Sequence, residues 1–291
     1  MIFGRNFSNG FVGGEENLSQ RRGLLTSPRK MEVIIQPDKE SAAMLVARIV
    51  AKDLIAKPEL VLGLATGRTM EAVYALLAQM HRDAKLDFSQ AKSFNLDEYV
   101  GLAATDPHSY RYYMNYQLFK RVNINLENTF LPSGTANDLD AECALYEENI
   151  RKLDGIDLQL LGIGRSGHIG FNEPLSALLS RTRVKPLSPA TIEQNSGLFE
   201  RPEQMPRRAI TMGVGTILDA RRCILLATGA EKADIIAKAV EGPITSMISA
   251  TALQLHRRCT VIVDEAAAVK LQGTDYYRWV FANEPEWQEF Q

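Results

Sequence analysis

The sequence predicts an α/β fold: an open, mostly parallel, doubly wound sheet with helices on both of its faces. Short apolar runs alternate with helix-length amphipathic segments from residue 31 onward, and no internal repeat or long linker interrupts them. The run from Asp157 to Ile163 lacks the polar alternation of a strand that has one face in water. It therefore indicates a strand that is buried on both faces, as in a parallel sheet.

Taken in order along the chain, the apolar runs predict seven strands and the amphipathic segments predict five helices. The strands are Val33–Gln36, Leu60–Leu64, Ser93–Leu96, Leu158–Ile163, Ala209–Met212, Cys223–Ala227 and Thr260–Val263. The helices are Ser41–Ala56, Thr69–His81, Tyr110–Phe119, Asp138–Leu153 and Lys232–Val240. Right-handed crossovers then bring the strand carboxyl ends to one edge of the sheet, where such sheets bind ligands.

We expect a single α/β domain over residues 31–270, with a different segment at each end. Residues 1–30 are rich in glycine and polar residues and predict a disordered extension. Residues 271–291 form an aromatic tail that contains Tyr276, Trp279 and Trp287. Aromatic side chains of this kind are expected to dock on a surface or on a sister subunit.

Composition excludes several classes of protein. The net charge of −2 argues against nucleic acid or an anionic membrane as the main partner, because neither would be attracted. No apolar stretch approaches the roughly 20 residues that span a bilayer. The three cysteines show no CxxC spacing and fit reduced thiols, so we expect a cytoplasmic protein.

The loop from Gly162 to Pro174 carries the strongest chemical signal. Three glycines follow the buried strand within six residues, and they allow a sharp turn and a close approach of ligand to backbone. His168 and Glu173 then lie five residues apart, a pair that can move a proton near neutral pH. A structural histidine is the alternative, but the position on the sheet edge favours catalysis.

A second loop, Gly63 to Thr69, leads from a predicted strand into a predicted helix. Free amides at the helix start, with Thr66, Gly67, Arg68 and Thr69, suit a phosphate group. An ordinary turn between strand and helix explains the loop equally well. No lysine follows the second glycine as it does in a P-loop, so nucleotide binding is not supported.

Two further segments reach the same edge. Asp97 and Glu98 follow a strand and cannot share a face while extended, so one could act as a base while the other braces the loop. A helix N-cap is the alternative. Lys232 lies in a predicted first helical turn, against the preference of the helix dipole, and could face an anion rather than solvent. The other histidines show no metal-like spacing, so a metal is not indicated.

With these residues in place, the chain resembles the glucosamine-6-phosphate deaminase (glucosamine-6-phosphate isomerase) family from about Met31 to Glu265. The matching segments are Leu62–Gly67, Phe94–Leu102, Gly162–Pro174, Ser180–Arg183, Met212–Thr216, Gly229–Lys232 and Ala252–His256. The resemblance implies a Rossmann-like fold, an aldose-ketose isomerisation coupled to deamination, and no cofactor. The enzyme would be a hydrolase that converts glucosamine 6-phosphate and water into fructose 6-phosphate and ammonia.

The resemblance also implies roles for individual residues. Asp97 matches the base that moves a proton between C2 and C1 through an enolamine. His168 matches the residue that assists opening of the pyranose ring, with Glu173 as its partner. Lys232 and the loop from Thr66 to Thr69 match the ligands of the phosphate.

Three departures from the family pattern bear on the site. Ser166 stands where many members have an aspartate, so it offers a hydrogen bond but no charge, and His168 should be a weaker base. Gly197 stands where many members have an arginine that binds phosphate. Arg68 replaces a small residue, and we hypothesise that it supplies the missing cation.

Arg183 and Lys185 match part of an allosteric site for N-acetylglucosamine 6-phosphate in some members. Ala177 replaces the second serine of that motif, which speaks against allosteric activation. The resemblance further implies a closed homo-oligomer.

Three alternatives stay open. A 6-phosphogluconolactonase shares the fold, but it usually lacks Asn172-Glu173-Pro174 and has an arginine in place of Tyr99. A deaminase for another amino-sugar phosphate, such as galactosamine 6-phosphate, is a closer rival. A non-catalytic sugar-phosphate sensor is the third, although the 30 glycine-rich residues at the N-terminus do not supply a helix-turn-helix.

Overall fold

Ten strands form two sheets within residues 30–291, the part of the chain that the structure, a computed structural model, describes. The strands are β1 Lys30–Gln36, β2 Val61–Leu64, β3 Lys92–Asn95, β4 Asp97–Tyr99, β5 Thr129–Phe130, β6 Leu158–Leu161, β7 Arg183–Pro186, β8 Arg208–Thr211, β9 Arg222–Ala227 and β10 Arg258–Asp264. The predicted disordered extension lies outside the described residues, except that Lys30 begins β1.

The large sheet has the order β1-β10-β9-β6-β2-β3-β5, and all of its neighbouring strands are parallel. Every residue of β2, β6 and β9 is buried, which confirms the prediction of strands covered on both faces. The order of the strands reverses between β2 and β6. Loops at such a switch point separate and leave a crevice at the strand carboxyl ends.

The helices within the described residues are α1 Lys39–Ala56, α2 Arg68–Ala84, α3 Tyr110–Gln117, α4 Leu139–Lys152, α5 Pro189–Ser196, α6 Val214–Leu218, α7 Ala233–Glu241, α8 Glu265–Ala268 and α9 Thr274–Asn283. The predicted α/β class is therefore confirmed. None of these helices combines the length and the apolar character that a membrane span needs.

The small sheet corrects one expectation. The run Ala209–Met212 was assigned to the parallel sheet, but β8 is the central strand of an antiparallel sheet with the order β4-β8-β7. Its neighbours escaped the sequence pattern because they are short and carry charged residues, including Asp97 and Arg183. In this sheet Thr211 pairs with Asp97 on one side and with Arg183 on the other.

The aromatic tail packs on its own chain, most deeply at Trp287. The side chain of Trp287 is fully buried within the main hydrophobic core. Its ring lies beside Phe281 and Phe290, and the guanidinium of Arg222 lies 5.8 Å from the ring centroid. Tyr276 and Trp279 stack on each other and stay exposed.

Candidate active site

Asp97 lies at the crevice, where β4 continues from the end of β3. Its side chain is buried. Burial and, to a lesser extent, the negative charge of Glu98 together raise the pKa of Asp97 to about 8, and the backbone of Phe171 opposes both. A carboxyl group with this pKa is a much stronger base than an exposed aspartate once it is ionised.

Glu98 points away from Asp97, as adjacent residues of a strand must. Its Oε1 accepts hydrogen bonds from the N–H groups of Tyr99 (2.8 Å) and Tyr110 (2.9 Å), and its Oε2 accepts one from Arg111 (2.9 Å). Tyr110 begins α3, so the carboxylate satisfies free amides at a helix start and braces the loop between β4 and α3.

His168 lies on the loop that follows β6. Its Nδ1 is 2.7 Å from Oγ of Ser166 and 3.5 Å from Oε2 of Glu173. Burial lowers the pKa of His168, the charge of Glu173 opposes that shift, and the charge of Lys232 lowers the pKa further. The imidazole is therefore neutral near pH 7, and in this form one ring nitrogen can accept a proton.

Ser166, His168 and Glu173 are residue types of a nucleophilic triad, but their geometry excludes one. In a triad the serine and the carboxylate contact different ring nitrogens. Here both lie on Nδ1 of His168. Ser166 is thus a hydrogen-bond partner of the histidine and not a nucleophile that the histidine activates.

Glu173 is held in place by a second element. Its Oε1 accepts hydrogen bonds from the N–H of Ser188 (3.2 Å) and the hydroxyl of Thr191 (2.5 Å), at the start of α5. Its buried Oε2 has no hydrogen-bond partner among the residues described and faces His168. The carboxylate is thereby positioned to stabilise a protonated imidazole.

The loop from Thr66 to Thr69 has the open helix start that the sequence predicts. Gly67 precedes α2 with a φ of 113°, and no side chain caps the helix. A Cβ built on Gly67 would meet no atom within 4 Å, so the space above the first amides is open. Such amides form a ready anion site.

Three cations, Lys232, Arg68 and Arg165, act on one another at this edge of the sheet. Lys232 donates a hydrogen bond from Nζ to the carbonyl of Ile163 (2.8 Å). Burial lowers the pKa of Lys232, Glu231 opposes the shift, and the charges of Arg165 and Arg68 lower it further. Arg165 is not among the predicted site residues, although its place between Gly164 and Ser166 in the histidine loop is a usable signal.

The two residues of the implied allosteric site lie in the small sheet. Both Arg183 and Lys185 are on β7. Nη1 of Arg183 donates a hydrogen bond to Oδ1 of Asn172 (3.0 Å), directly before Glu173. Gly197 ends α5 with open space around it.

The remaining histidines have structural surroundings. Nδ1 of His256 accepts a hydrogen bond from the N–H of Arg258, so Nε2 carries the proton and donates it to the carbonyl of Ala220. His108 stacks on Phe199 with the ring centroids 4.5 Å apart. Within residues 30–291, no three His, Cys, Asp or Glu side chains group as a metal site.

A cavity of about 460 Å³ lies away from this site. Its lining includes Asp154, Gly155 and Ile156 before β6 and Ala220 before β9, so it opens at the amino edge of the large sheet. Arg181 in its wall is paired with Asp219. The carboxyl edge, with Asp97 and His168, is the candidate active site.

Comparison with known proteins places the chain in a family. The profile described as glucosamine-6-phosphate isomerases/6-phosphogluconolactonase matches residues 38–262. A glucosamine-6-phosphate deaminase of Cellvibrio japonicus is 50% identical over 250 residues, 86% of this chain and 95% of the relative. One of Streptomyces coelicolor is 48% identical over 259 residues, 89% and 99% of the two chains.

Two solved structures resemble this chain to different degrees. A monomeric glucosamine-6-phosphate deaminase superposes with a TM-score of 0.81 at 42% identity, over 82% of this chain and 100% of that one. A 6-phosphogluconolactonase from Trypanosoma cruzi has a TM-score of 0.68 at 20% identity, over 84% and 98% of the two chains. The second likeness shows the fold alone.

Gly164 provides a direct test of the histidine geometry. A Cβ at Gly164 would lie 2.2 Å from Nε2 of His168, so Gly164→Ala must push the ring out of its place. We expect the pKa of His168 to rise toward its ordinary value of 6.5, because the displaced ring is less buried. NMR titration of the histidine Cε1 proton measures this shift.

Gly162→Ala is the matched control, since a Cβ at Gly162 meets nothing within 4 Å. It should leave the titration of His168 unchanged. Identical titration curves for the two variants would contradict the packing of His168 on Gly164.

Proposed function

The chain belongs to the glucosamine-6-phosphate isomerase/6-phosphogluconolactonase family, within its glucosamine-6-phosphate deaminases, and from this premise we propose that it converts glucosamine 6-phosphate and water into fructose 6-phosphate and ammonia. One observation carries the proposal. Gly170, inside the loop that holds His168 and Glu173, packs against Asp97, since a Cβ there would lie 3.4 Å from Oδ2 of Asp97. A carboxylate base and an acid-base pair therefore adjoin in one crevice.

The phosphate is assigned to the cationic side of the crevice. The open amides and hydroxyls of the Thr66–Thr69 loop would take its oxygens, and Lys232 would neutralise its charge. Arg68 begins α2 at this point, and its charge acts on Lys232. This position supports the hypothesis that Arg68 replaces the cation that is missing at Gly197. The charge of Arg165 also acts on Lys232 and adds to the positive potential there.

Ring opening is assigned to His168. When Nδ1 carries the ring proton and donates a hydrogen bond to Oγ of Ser166 (2.7 Å), Nε2 is unprotonated and can take the proton of the anomeric hydroxyl. The same proton passes to the ring oxygen as the C1–O5 bond breaks, and an open-chain aldehyde results. Glu173, 3.5 Å from Nδ1, stabilises the imidazolium between these two transfers.

Isomerisation is assigned to Asp97. The ionised carboxylate takes the proton from C2 while the C2 ammonium gives a proton to O1, so a neutral enolamine forms. The carboxyl group then returns its proton to C1, which leaves an iminium group at C2. Water adds to the iminium group and ammonia leaves, so the ketose phosphate is released. The label hydrolase rests on this last step.

The proposal also includes which amino-sugar phosphate is the substrate. Glucosamine 6-phosphate is the substrate that the relatives' names point to, and galactosamine 6-phosphate is its rival because Ser166 and Arg68 alter the site. An assay of ammonia and ketose phosphate with both epimers separates the two. Inertness toward both would overturn the proposed reaction.

Assembly and location stay predictions. We propose a homo-oligomer in the cytoplasm, although one solved relative is described as monomeric.

Asp97→Asn tests the base and its burial together. We expect kcat to fall by about 10²- to 10⁴-fold, the usual contribution of a general base. Between pH 3.8 and about 8 the folded carboxyl holds a proton that the unfolded chain releases, so wild-type stability falls as pH rises through this window. The Asp97→Asn variant has no carboxyl group at this position, so its stability does not fall for this reason.

The variant should therefore melt at a higher temperature than wild type at pH 8, and the difference should shrink toward pH 4. Asp83→Asn, at an exposed position of α2, is the matched control and should change neither activity nor melting. A less stable Asp97→Asn protein at pH 8 would contradict the buried, unneutralised carboxylate.

Arg68→Ala tests the phosphate cation. Loss of one charge-assisted contact should raise KM for the sugar phosphate by about tenfold, with a smaller change in kcat. Initial rates of ammonia release over a range of substrate concentration give both constants. Arg82→Ala, in the last turn of the same helix, should leave KM unchanged. Equal KM values for the two variants would remove Arg68 from the phosphate site.

A further inference from the structure

One row of residues across the small sheet faces the catalytic loop. Asp97 on β4, Thr211 on β8 and Arg183 on β7 are directly paired. Directly paired residues of an antiparallel sheet point to the same face. Their side chains therefore form a row, with the proposed base at one end and an arginine at the other.

The row holds three consecutive loop residues. Gly170 fits against it, since a Cβ there would lie 3.0 Å from Oγ1 of Thr211 and 3.4 Å from Oδ2 of Asp97. The N–H of Phe171 donates a hydrogen bond to Oγ1 of Thr211 (3.0 Å). At the far end, Arg183 donates to Oδ1 of Asn172. Asp97, Thr211 and Arg183 thus each contact the loop and restrain it.

Asn172 transmits this restraint to the catalytic pair. Its side chain is fully buried, and its Nδ2 donates to the carbonyls of Ile169 (2.9 Å) and Met212 (2.8 Å). Ile169 follows His168, and Glu173 follows Asn172. With Oδ1 on Arg183, the amide group is bonded on each of its polar atoms. The segment between His168 and Glu173 is therefore anchored through one side chain.

Resting on the function proposed above, we infer that Arg183 is a positioning residue for the reaction in the effector-free enzyme. It holds Asn172 and thereby sets the separation of His168 and Glu173 from each other and from Asp97. The residue is half-buried, and a second bond from Nη1 to the carbonyl of Arg181 (3.2 Å) fixes its head. Its place in the family pattern implies an effector ligand, whose removal would not change the unstimulated reaction.

Arg183→Met is the main test, made on the full chain. We expect kcat for glucosamine 6-phosphate without effector to fall by about 10- to 100-fold and KM to change much less, because misplaced catalytic groups slow chemistry more than binding. The pKa of His168, read by NMR, should move from its wild-type value, because its distance from Glu173 changes. Arg183→Lys, which keeps the charge and one donor, should recover part of both losses.

Arg181→Met is the matched control. Arg181 lies two residues away, and its half-exposed side chain pairs with Asp219. This variant should match wild type in kcat and in the titration of His168, and thermal melting checks that each variant is folded. Wild-type kcat and an unmoved His168 titration in Arg183→Met would overturn the inference.

The two proposals fail in distinguishable ways. If wild type releases no ammonia from either amino-sugar phosphate, the proposed function fails. The His168 titration in Arg183→Met against Arg181→Met still decides whether Arg183 positions the loop. If Arg183→Met does not fold, Arg183→Lys carries the same test, and an unmoved titration there counts against the inference.

Discussion

The site depends on a carboxylate that is buried where no cation neutralises it. Among the described residues no cation forms an ion pair with Asp97, and the charge that acts on its pKa, that of Glu98, is negative. Burial of an ionisable group without a counter-charge costs stability. A fold tolerates such a group mainly at functional positions, where reactivity outweighs the loss. The surrounding elements follow from this need: the small sheet carries Asp97, and the loop packs against its carboxyl group at Gly170.

The fold divides the crevice into two electrostatic halves. Asp97 and Glu173 adjoin the small sheet and α5, whereas Arg68 and Lys232 lie at helix starts, with the charge of Arg165 acting on Lys232. The proposed substrate has the matching polarity, with an amine beside the reacting carbon and a phosphate at the far end. His168 feels both halves, since Glu173 raises its pKa and Lys232 lowers it. The switch point between β2 and β6 brings these halves together.

The sequence predicts the parts of the site better than their connections. The apolar run before Gly162 and the glycine loops place His168, Lys232 and the Thr66–Thr69 loop at one edge, because parallel strands leave their carboxyl ends together. The small sheet was not predictable, since β4 and β7 are short and charged. The bond between Arg183 and Asn172 depends on the register of that sheet, which no local pattern encodes. Likewise, the burial of Trp287 follows from tertiary packing and not from its aromatic neighbours in the sequence.

The fate of the hydrogen at C2 tests the account most directly. Glucosamine 6-phosphate deuterated at C2 is converted by the wild-type protein in ordinary water, and the products are analysed by NMR and mass spectrometry. We expect ammonia and fructose 6-phosphate in equal amounts. Because the base is buried, part of the deuterium should be transferred to C1, and the rest should be released to water. An aldose phosphate that keeps its deuterium at C2 would contradict the account, and so would the absence of ammonia.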